Sequence, residues 1–504
     1  MGEIVPRWEW RTFARSVPTA DAVFETKLPA VEESDELYLL MRDGDNVKVR
    51  DGLMDIKVLR ETDASGLQRW EPILKAPFPL HHEAALTVFE SLRRPLPDLP
   101  SEGLTLEAVL TAAGVGTPDG PRLLRVHKRR ARYVVGECQA ERAVFEVDGR
   151  RTTSIAVEST DPAAVVAAVD ALGLGAYSNT DVRTGLRLLV DEVPERYAVI
   201  DAGTNSTKFH VAELDLAGGA WRTVVDRAVV TRLGEGLEAT GEIGAEPLDR
   251  TAQAIGEMAD EARSLDVRGI AAVGTAGLRI SANQAEVVEK VRTRSGVSLD
   301  VISGEDEGRL AHLAVATGIG LDAGVIVVFD TGGGSSQFTF GHGPTVDERF
   351  SLNVGAVRFT EQYGLAQPVS ADVVADAVAA IAAELGRLDG RPRPRAVVAM
   401  GGAVTNLAAV KHGLTTYDPD VVQGTVLDSA EIDRQVELYR SLDAAGRRRI
   451  PGLQPARAEV ILAGACIVRT IMDKLGCDAV TVSDRGLRHG VLHERFGPGT
   501  SSGA

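Results

Sequence analysis

Two short runs of the sequence have the composition of phosphate-binding loops. The first begins with Asp201, directly after the apolar run 197–200, and the second begins with Asp330, after the apolar run 325–329. An aspartate at the end of a buried strand can hold a metal ion or a water beside a phosphate, and glycines let backbone N–H groups approach the phosphate oxygens. The sequence therefore predicts two loops that face each other across a cleft and hold a phosphate chain. The candidate phosphate-binding residues are Gly203, Thr204, Asn205, Ser206, Gly332, Gly333, Gly334 and Ser335.

An acidic run at residues 305–307, followed by Gly308 and Arg309, is the next candidate for chemistry. Taken alone, such a run is typical of a solvated helix start, where carboxylates complement the positive end of the helix dipole. Beside a bound phosphate, one of these carboxylates could take a proton from the water that attacks the terminal phosphorus. The run by itself does not decide between the two interpretations.

Composition bounds the class of protein. The chain has 504 residues, which corresponds to about three domains of ~150 residues, and its 44% hydrophobic and 25% charged residues are those of a globular protein. A net charge of −17 argues against a general nucleic-acid binder. Because no apolar run reaches the ~20 residues of a membrane span and the start lacks a signal-peptide core, we expect a cytoplasmic protein without a membrane partner. Cys138, Cys466 and Cys477 form no pair of the metal-binding type.

Residues 1–190 alternate over much of their length between apolar and polar positions, as antiparallel strands do. The basic residues of this region follow the same alternation. Residues two apart on a strand point to the same side, so Lys48 shares one face with Arg50, and Lys128 shares one face with Arg130 and Arg132. A closed barrel lined by these cations would be a tunnel for a polyphosphate. The alternative is a basic edge strand that faces solvent.

Residues 195–320 and 321–492 each begin with a strand, a glycine-rich loop and a strand, and continue as alternating helices and strands. This is the layered α/β pattern, and it occurs once in each of the two ranges. A tandem pair of α/β domains that each open with an Asp-Gly loop resembles the actin, sugar-kinase and Hsp70 superfamily, which implies ribonuclease H-like domains with an interdomain cleft. We therefore expect an α+β antiparallel barrel followed by two such α/β domains. Residues 493–504 are expected to form a disordered tail.

The sequence from about Tyr197 to His493 further resembles one family of that superfamily, the exopolyphosphatase and guanosine pentaphosphate phosphatase (Ppx/GppA) family. Each motif of the resemblance is short, but their order along the chain is specific. The resemblance implies an enzyme that hydrolyses terminal phosphoanhydride bonds. Besides the two loops, the motifs lie at residues 232–236, 274–279, 302–310, 354–358, 401–402, 450–453, 457–459 and 482–488.

The resemblance implies a role for each candidate side chain. Glu307 corresponds to the catalytic base of the family, and Arg279 is expected to stabilise the equatorial oxygens of the transferred phosphate. Asp201 and Asp330 are expected to hold Mg²⁺ or another divalent cation. A glutamate that approaches the metal in the family is replaced here by Gln337, whose neutral amide still offers an oxygen. We expect weaker metal affinity, an altered preference among divalent cations, or slower catalysis.

Residues 1–190 resemble the CYTH, or triphosphate tunnel metalloenzyme, family, which opens with a Glu-x-Glu-x-Lys motif that helps to bind metal. Here the corresponding stretch retains only Glu9 and Arg11. Later strands match the family better, for example at Lys48, Arg50 and Lys57. The resemblance implies a barrel that binds polyphosphate or regulates the rest of the chain, and the lost glutamate argues against metal-dependent catalysis inside it.

Four functions are compatible with these patterns. The leading hypothesis is an exopolyphosphatase that removes terminal phosphates from inorganic polyphosphate by metal-assisted attack of water. The same motifs fit a phosphatase that acts on guanosine pentaphosphate, which presents the same terminal bond. A kinase or chaperone-like ATPase of the same superfold, and a catalytically weak sensor of polyphosphate or nucleotide, are the remaining alternatives. The sequence leaves open whether the chain forms a homodimer.

Overall fold

The first eight strands of the chain form one closed antiparallel barrel, in which the first strand pairs with both the fifth and the eighth. The predicted antiparallel barrel is confirmed. The strands are β1 (Arg7–Ala14), β2 (Ala30–Leu40), β3 (Asn46–Arg50), β4 (Leu53–Thr62), β5 (Gln68–Pro77), β6 (Arg122–Val135), β7 (Cys138–Val147) and β8 (Arg150–Ser159). The computed structural model describes residues 5–41, 44–63, 66–204, 206–215, 220–319, 324–333, 335–342 and 345–497.

Alternation along β6 shows how the sequence encodes this barrel. Lys128 and Arg130 are buried, whereas the neighbouring His127 and Arg129 are exposed. Successive side chains of a strand point to opposite faces, so the first pair points into the lumen and the second pair to solvent. The helices of the barrel region are α1 (Pro18–Phe24), α2 (His82–Ser91), α3 (Leu106–Ala112), α4 (Pro162–Ala171) and α5 (Val182–Val190).

A five-stranded sheet follows the barrel and forms the centre of the first α/β half, in the order β11-β10-β9-β12-β13. Its strands are β9 (Glu195–Ala202), β10 (Ser206–Leu214), β11 (Trp221–Val230), β12 (Gly269–Gly274) and β13 (Leu299–Val301). Its helices are α6 (Leu237–Thr240), α7 (Ala245–Ser264), α8 (Ala276–Ile280), α9 (Gln284–Ser295) and α10 (Gly304–Ile319).

A six-stranded sheet forms the centre of the second α/β half, in the order β16-β15-β14-β17-β19-β18. Its strands are β14 (Ile326–Thr331), β15 (Ser336–His342), β16 (Thr345–Leu352), β17 (Ala396–Met400), β18 (Val426–Asp428) and β19 (Ala479–Val482). The remaining helices are α11 (Ala356–Tyr363), α12 (Ala371–Glu384), α13 (Gly402–His412), α14 (Pro419–Val422), α15 (Ser429–Arg440), α16 (Ala444–Arg447), α17 (Ile461–Leu475) and α18 (Leu487–Phe496), with short 3₁₀ turns at Gly386–Leu388 and Pro455–Arg457. None of the helices described in the structure combines the length and the hydropathy that a membrane crossing requires.

The two sheets repeat one arrangement. In the first, β9 pairs antiparallel with β10 and parallel with β12. In the second, β14 pairs antiparallel with β15 and parallel with β17. Each half thus opens with a hairpin whose first strand also begins a parallel segment, so the predicted tandem pair of α/β halves is confirmed.

One hydrophobic core joins the barrel to the first α/β half. It contains Trp10 and Val157 from the barrel, Tyr197 from β9 and Phe496 from α18. The rings of Tyr197 and Phe496 are stacked, with centroids 4.5 Å apart. The last helix therefore packs on the first half although it follows the second half in sequence. Residues 493–496, which were expected to begin a disordered tail, belong instead to α18, which continues to the buried Phe496; residues 498–504 lie outside the described residues.

Candidate active site

A cavity of about 670 Å³, which we call the cleft, is lined by residues of both α/β halves. Thr204, Ser206 and Ser335 belong to the two loops but are not among the side chains that line the cleft. Asn205 and Gly334 lie outside the described residues. The predicted site residues that the cleft brings together are Asp201, Gly203, Arg279, Glu307, Asp330, Gly332, Gly333 and Gln337.

Asp201 lies near the end of β9 and is only 2% exposed. Directly opposite it on the hairpin partner β10 is Lys208, whose Nζ lies 3.2 Å from Asp201 Oδ2. Lys208 was not among the predicted cleft residues. The signal was available, because four residues separate Ala202 from Thr207, the innermost pair of the hairpin, and residues seven apart are then opposite each other.

Asp330 lies in β14 in the equivalent position of the second half. Burial raises the pKa of its carboxyl group, while the nearby positive charges of Lys208 and Arg457 lower it. A Cβ atom at Gly401 would lie 2.1 Å from Asp330 Oδ1, and Gly401 also has a positive φ of 91°. Glycine is therefore required at position 401 by both the backbone conformation and the closeness of the carboxylate.

The donor set around these aspartates fits a hard divalent cation. Gln337 stands opposite Asp330 on β15, and its Nε2 donates a hydrogen bond of 2.9 Å to Ser335 Oγ. With the amide assigned in this orientation, its Oε1 remains available. Two carboxylates and one amide oxygen then face the same cleft. Mg²⁺ prefers such oxygen ligands and completes its shell with waters or substrate phosphates.

Glu307 lies in the first turn of α10. The helix start is fixed by Ser303, whose Oγ accepts a 3.0 Å hydrogen bond from the Asp306 N–H. Arg279 Nη1 and Nη2 each lie 3.3 Å from Glu307 Oε2, and Nη1 also donates to the Ile302 carbonyl at 2.8 Å. The Glu307 side chain is 31% exposed, so water can reach the carboxylate.

The cleft carries more basic than acidic side chains, although the chain as a whole is acidic. Arg349 reaches from β16 to Gly308, where a Cβ atom would lie 2.3 Å from the arginine. A Cβ atom at Gly402 would likewise lie 2.5 Å from Arg457, so this arginine also packs against a glycine. The local excess of positive charge suits an anionic ligand. The six basic residues are Lys208, Arg279, Arg349, Arg457, Arg485 and Arg488, and the four acidic ones are Asp201, Glu307, Asp330 and Asp484.

A separate cavity of about 590 Å³ fills the lumen of the barrel. The predicted cations share this space, although Arg132 remains half exposed. Two further basic residues, Arg11 and Lys57, join them. The predicted cations that line the lumen are Lys48, Arg50, Lys128, Arg130 and Arg132.

The sequence predicts a lumen lined by cations, but carboxylates pair with some of these cations. Lys48 Nζ lies 2.9 Å from Glu36, and Lys128 Nζ lies 2.7 Å from Glu141. Burial lowers the pKa of Lys128 to about 8, a shift that Glu141 opposes. Sequence reasoning missed both glutamates because each is brought to its lysine by strand pairing within the barrel.

Comparison with known proteins agrees with this arrangement. A family model described as the Ppx/GppA phosphatase family matches residues 214–497. Exopolyphosphatase 2 of Mycobacterium tuberculosis is 27% identical over 315 residues, which cover 59% of this chain and 97% of that protein. The crystal structure of the type II variant of the Aquifex aeolicus Ppx/GppA phosphatase is 32% identical, with a TM-score of 0.56, and covers 60% of this chain and 99% of that one.

A bifunctional 3-dehydroquinate synthase/phosphatase of Fusobacterium nucleatum is 26% identical over 333 residues. The match covers 64% of this chain but only 50% of that relative. The family match begins after the first loop and includes the second loop, the helix that carries Glu307 and most of both α/β halves. The chain therefore belongs to the Ppx/GppA phosphatase family, which confirms the predicted class of enzyme, a phosphoanhydride hydrolase.

Proposed function

We propose that the chain is an exopolyphosphatase that cleaves terminal phosphates from inorganic polyphosphate in the cleft. The observation that carries the proposal is the convergence of Glu307, Arg279, Asp201 and Asp330 on one cavity. A carboxylate that water can reach, beside a guanidinium and two buried aspartates, is the set of groups that attack of water on a phosphate requires.

Glu307 is the general base. It takes a proton from water while the water oxygen attacks the terminal phosphorus, and the bond from that phosphorus to the bridging oxygen breaks. Arg279 donates to the equatorial oxygens of the transferred phosphate, and other backbone N–H groups of the two loops donate to the same group. A divalent cation held by Asp201, Asp330 and Gln337 would neutralise phosphate charge in the reaction.

The barrel supports a long-chain substrate. Its lumen collects basic residues from several strands, and a long polyanion can occupy a second basic site while its end is in the cleft. The alternative substrate, guanosine pentaphosphate, offers the same terminal bond to the same residues. Guanosine pentaphosphate would leave the second basic cavity without a role, and for this reason we favour polyphosphate.

Phosphate release from polyphosphate, guanosine pentaphosphate and ATP, measured side by side with Mg²⁺, tests the proposal. We expect the highest kcat/KM for polyphosphate and loss of all activities in Glu307→Gln. Preference for guanosine pentaphosphate would replace the proposed substrate and leave the assignment of the base intact. Full activity of Glu307→Gln would refute the proposed site itself.

A further inference from the structure

A second cavity, of about 470 Å³, lies beside the cleft and shares Asp484 and Arg485 with it. The proposed reaction uses none of the side chains that are confined to this cavity. Three of them, His210, Asp226 and His489, form the one group of three potential metal ligands found in the part of the chain that the structure describes. Their ligand atoms all lie within 4.8 Å of one another.

The spacing of this cluster is close to that of a metal site. His210 Nδ1 lies 3.7 Å from Asp226 Oδ2, and the two imidazole centroids are 4.5 Å apart. A cation bonded to nitrogen and oxygen at ~2.0–2.2 Å in tetrahedral geometry separates its ligand atoms by about 3.3–3.6 Å. Small side-chain movements would therefore bring the three groups onto one ion.

His210 has the surroundings of a metal-binding histidine. The residue is 1% exposed, and its Nδ1 finds no hydrogen-bond partner among the described residues. The backbone carbonyl of Val225 raises the pKa of the ring, as an acceptor of a ring N–H does; donation from Nε2 to this carbonyl would leave Nδ1 as the nitrogen with a free lone pair. Histidines that bind metal commonly donate their other ring N–H to a carbonyl, which fixes the tautomer. An orphaned lone pair in a buried position calls for a donor or a cation.

The other two groups complete the cluster. Arg488 donates to both oxygens of Asp226, at 3.0 and 2.8 Å, which orients the carboxylate and leaves each oxygen a second lone pair. His489 is the adjustable member, because its Nδ1 accepts a 3.2 Å hydrogen bond from the Gly486 N–H. Binding through Nε2 requires the ring proton to move to Nδ1 and the Gly486 contact to open.

Histidine binds a metal ion as the neutral imidazole. Burial lowers the pKa of His210 to about 4, and burial together with Arg488 holds the pKa of His489 well below its ordinary value. The positive charges of Arg485 and Arg488 oppose a cation here. A set of two imidazoles and one carboxylate offsets this, because it favours Zn²⁺ strongly over Mg²⁺.

We propose that His210, Asp226 and His489 bind a Zn²⁺-type divalent cation, at a site separate from the oxygen ligands of the cleft. The ion would join the β10–β11 hairpin to the start of α18. Residues 484–488 lie at the start of that helix and line the cleft. A metal ion bound at this site would therefore also hold the cleft residues Arg485 and Arg488 in place.

Metal binding to the full-length protein tests this proposal without reference to activity. The protein is stripped with a chelator and dialysed against Zn²⁺, or against Co²⁺ as a spectroscopic substitute, in excess Mg²⁺. We expect one retained equivalent and a cobalt absorption spectrum typical of nitrogen ligation. His210→Gln and His489→Gln should lose both signals. His493→Gln is the matched control, because His493 lines the same cavity outside the cluster and should retain both.

X-ray absorption of the zinc-loaded wild type keeps the test decisive if a variant fails to fold. Scattering from two imidazoles supports the site, and a shell of oxygens alone overturns it. The proposal also fails if the wild type retains no Zn²⁺, since a direct hydrogen bond between His210 and His489 after a small movement then accounts for the cluster. Retention of zinc by a folded His210→Gln variant would overturn it as well.

Discussion

Arg279 donates two hydrogen bonds to a single oxygen of Glu307, Oε2, each of 3.3 Å. The same guanidinium is held at its other contact by the Ile302 carbonyl, 2.8 Å away. The expected base and the expected phosphate ligand thus share one contact. A phosphate that binds Arg279 competes with Glu307 for its donors, so substrate binding would release the carboxylate to accept a proton from water. The two long bonds favour such an exchange, because they are weaker than an ideal charge-assisted pair.

Replacing Glu307 with Gln tests the role of the base. Gln keeps the shape of the side chain but accepts no proton, so kcat should fall by roughly 10²–10⁴. Binding of polyphosphate should change little. Glu305→Gln is the matched control, because Glu305 is an exposed carboxylate in the same helical turn and should retain full turnover. Equal losses in the two variants would mean that charge at the helix start matters and that the position of the carboxylate does not.

The sequence was sufficient to locate the candidate site, because its parts are local. Asp201 and Asp330 each end an apolar strand before a glycine-rich loop, and such a pattern is visible within ten residues. The side chains that surround these aspartates were harder to predict from the sequence. Arg349 reaches the cleft from a β-strand whose sequence carries no motif, and it is placed there by the approach of the two halves.

The ion pairs in the barrel could not be predicted from the sequence for a related reason. Period-two alternation predicts that Lys48 and Lys128 share the lumen, and both do. It does not predict which strands become neighbours, and only that pairing brings Glu36 to Lys48 and Glu141 to Lys128. The return of α18 to the first half was likewise unpredictable, because it depends on a hydrophobic core shared by three separated parts of the chain.

Asp330→Asn should lower activity and raise stability together. Burial raises the pKa of Asp330 in the folded protein, so the folded state loses stability as pH rises from the ordinary value of 3.8 through the folded value. Above that range the wild type carries the full cost of a buried charge. In chelator at pH 7, Asp330→Asn should therefore have the higher Tm, and the difference should shrink as the pH is lowered toward about 4, the ordinary pKa of the carboxyl group. A lower Tm for the variant at pH 7 would show that Lys208 and Arg457 outweigh the burial of the carboxylate.

Gln337→Glu tests whether this position belongs to the metal site. The substitution adds a negative charge opposite Asp330, so half-maximal activity should require a lower Mg²⁺ concentration. Ser351→Glu provides a control, because Ser351 pairs with Gln337 across the sheet and also lines the cleft. An unchanged Mg²⁺ titration for Gln337→Glu would remove residue 337 from the metal site.

Two pairs of arginines on β6 test whether the lumen binds polyphosphate. Arg130 and Arg132 line the lumen, whereas Arg125 and Arg129 are exposed on the opposite face of the strand. Arg130→Ala/Arg132→Ala should weaken long-chain binding and flatten its log–log salt dependence by roughly 1.5, by analogy with counterion release from nucleic acids. Arg125→Ala/Arg129→Ala removes the same charge and should have little effect.

These point variants are a better test than deletion of residues 1–190. Deletion would expose Tyr197 and Phe496, which belong to the core shared with the barrel, and would unfold more than the barrel. Equal salt dependence in the two arginine variants would mean that only the overall charge matters, and the barrel would then have no role as a polyphosphate site. Cleavage of a short substrate should be the same in both variants, because neither pair lines the cleft.

The charge of Lys128 gives polyphosphate binding a pH dependence. Burial lowers the pKa of this lysine to about 8, so near pH 8 a substantial fraction of the free protein carries it uncharged. A polyanion in the lumen favours the charged form and raises the pKa. Binding should therefore take up protons above pH 8. The affinity for polyphosphate should be highest below the pKa of Lys128 in the free protein and should fall as the pH rises beyond it.

Calorimetry at pH 8.5 in buffers of different ionisation enthalpy measures this proton uptake directly. Lys128→Arg keeps a charge that does not titrate in this range, so it should abolish the uptake and flatten the affinity profile. Identical profiles for Lys128→Arg and the wild type would show that long chains bind outside the lumen.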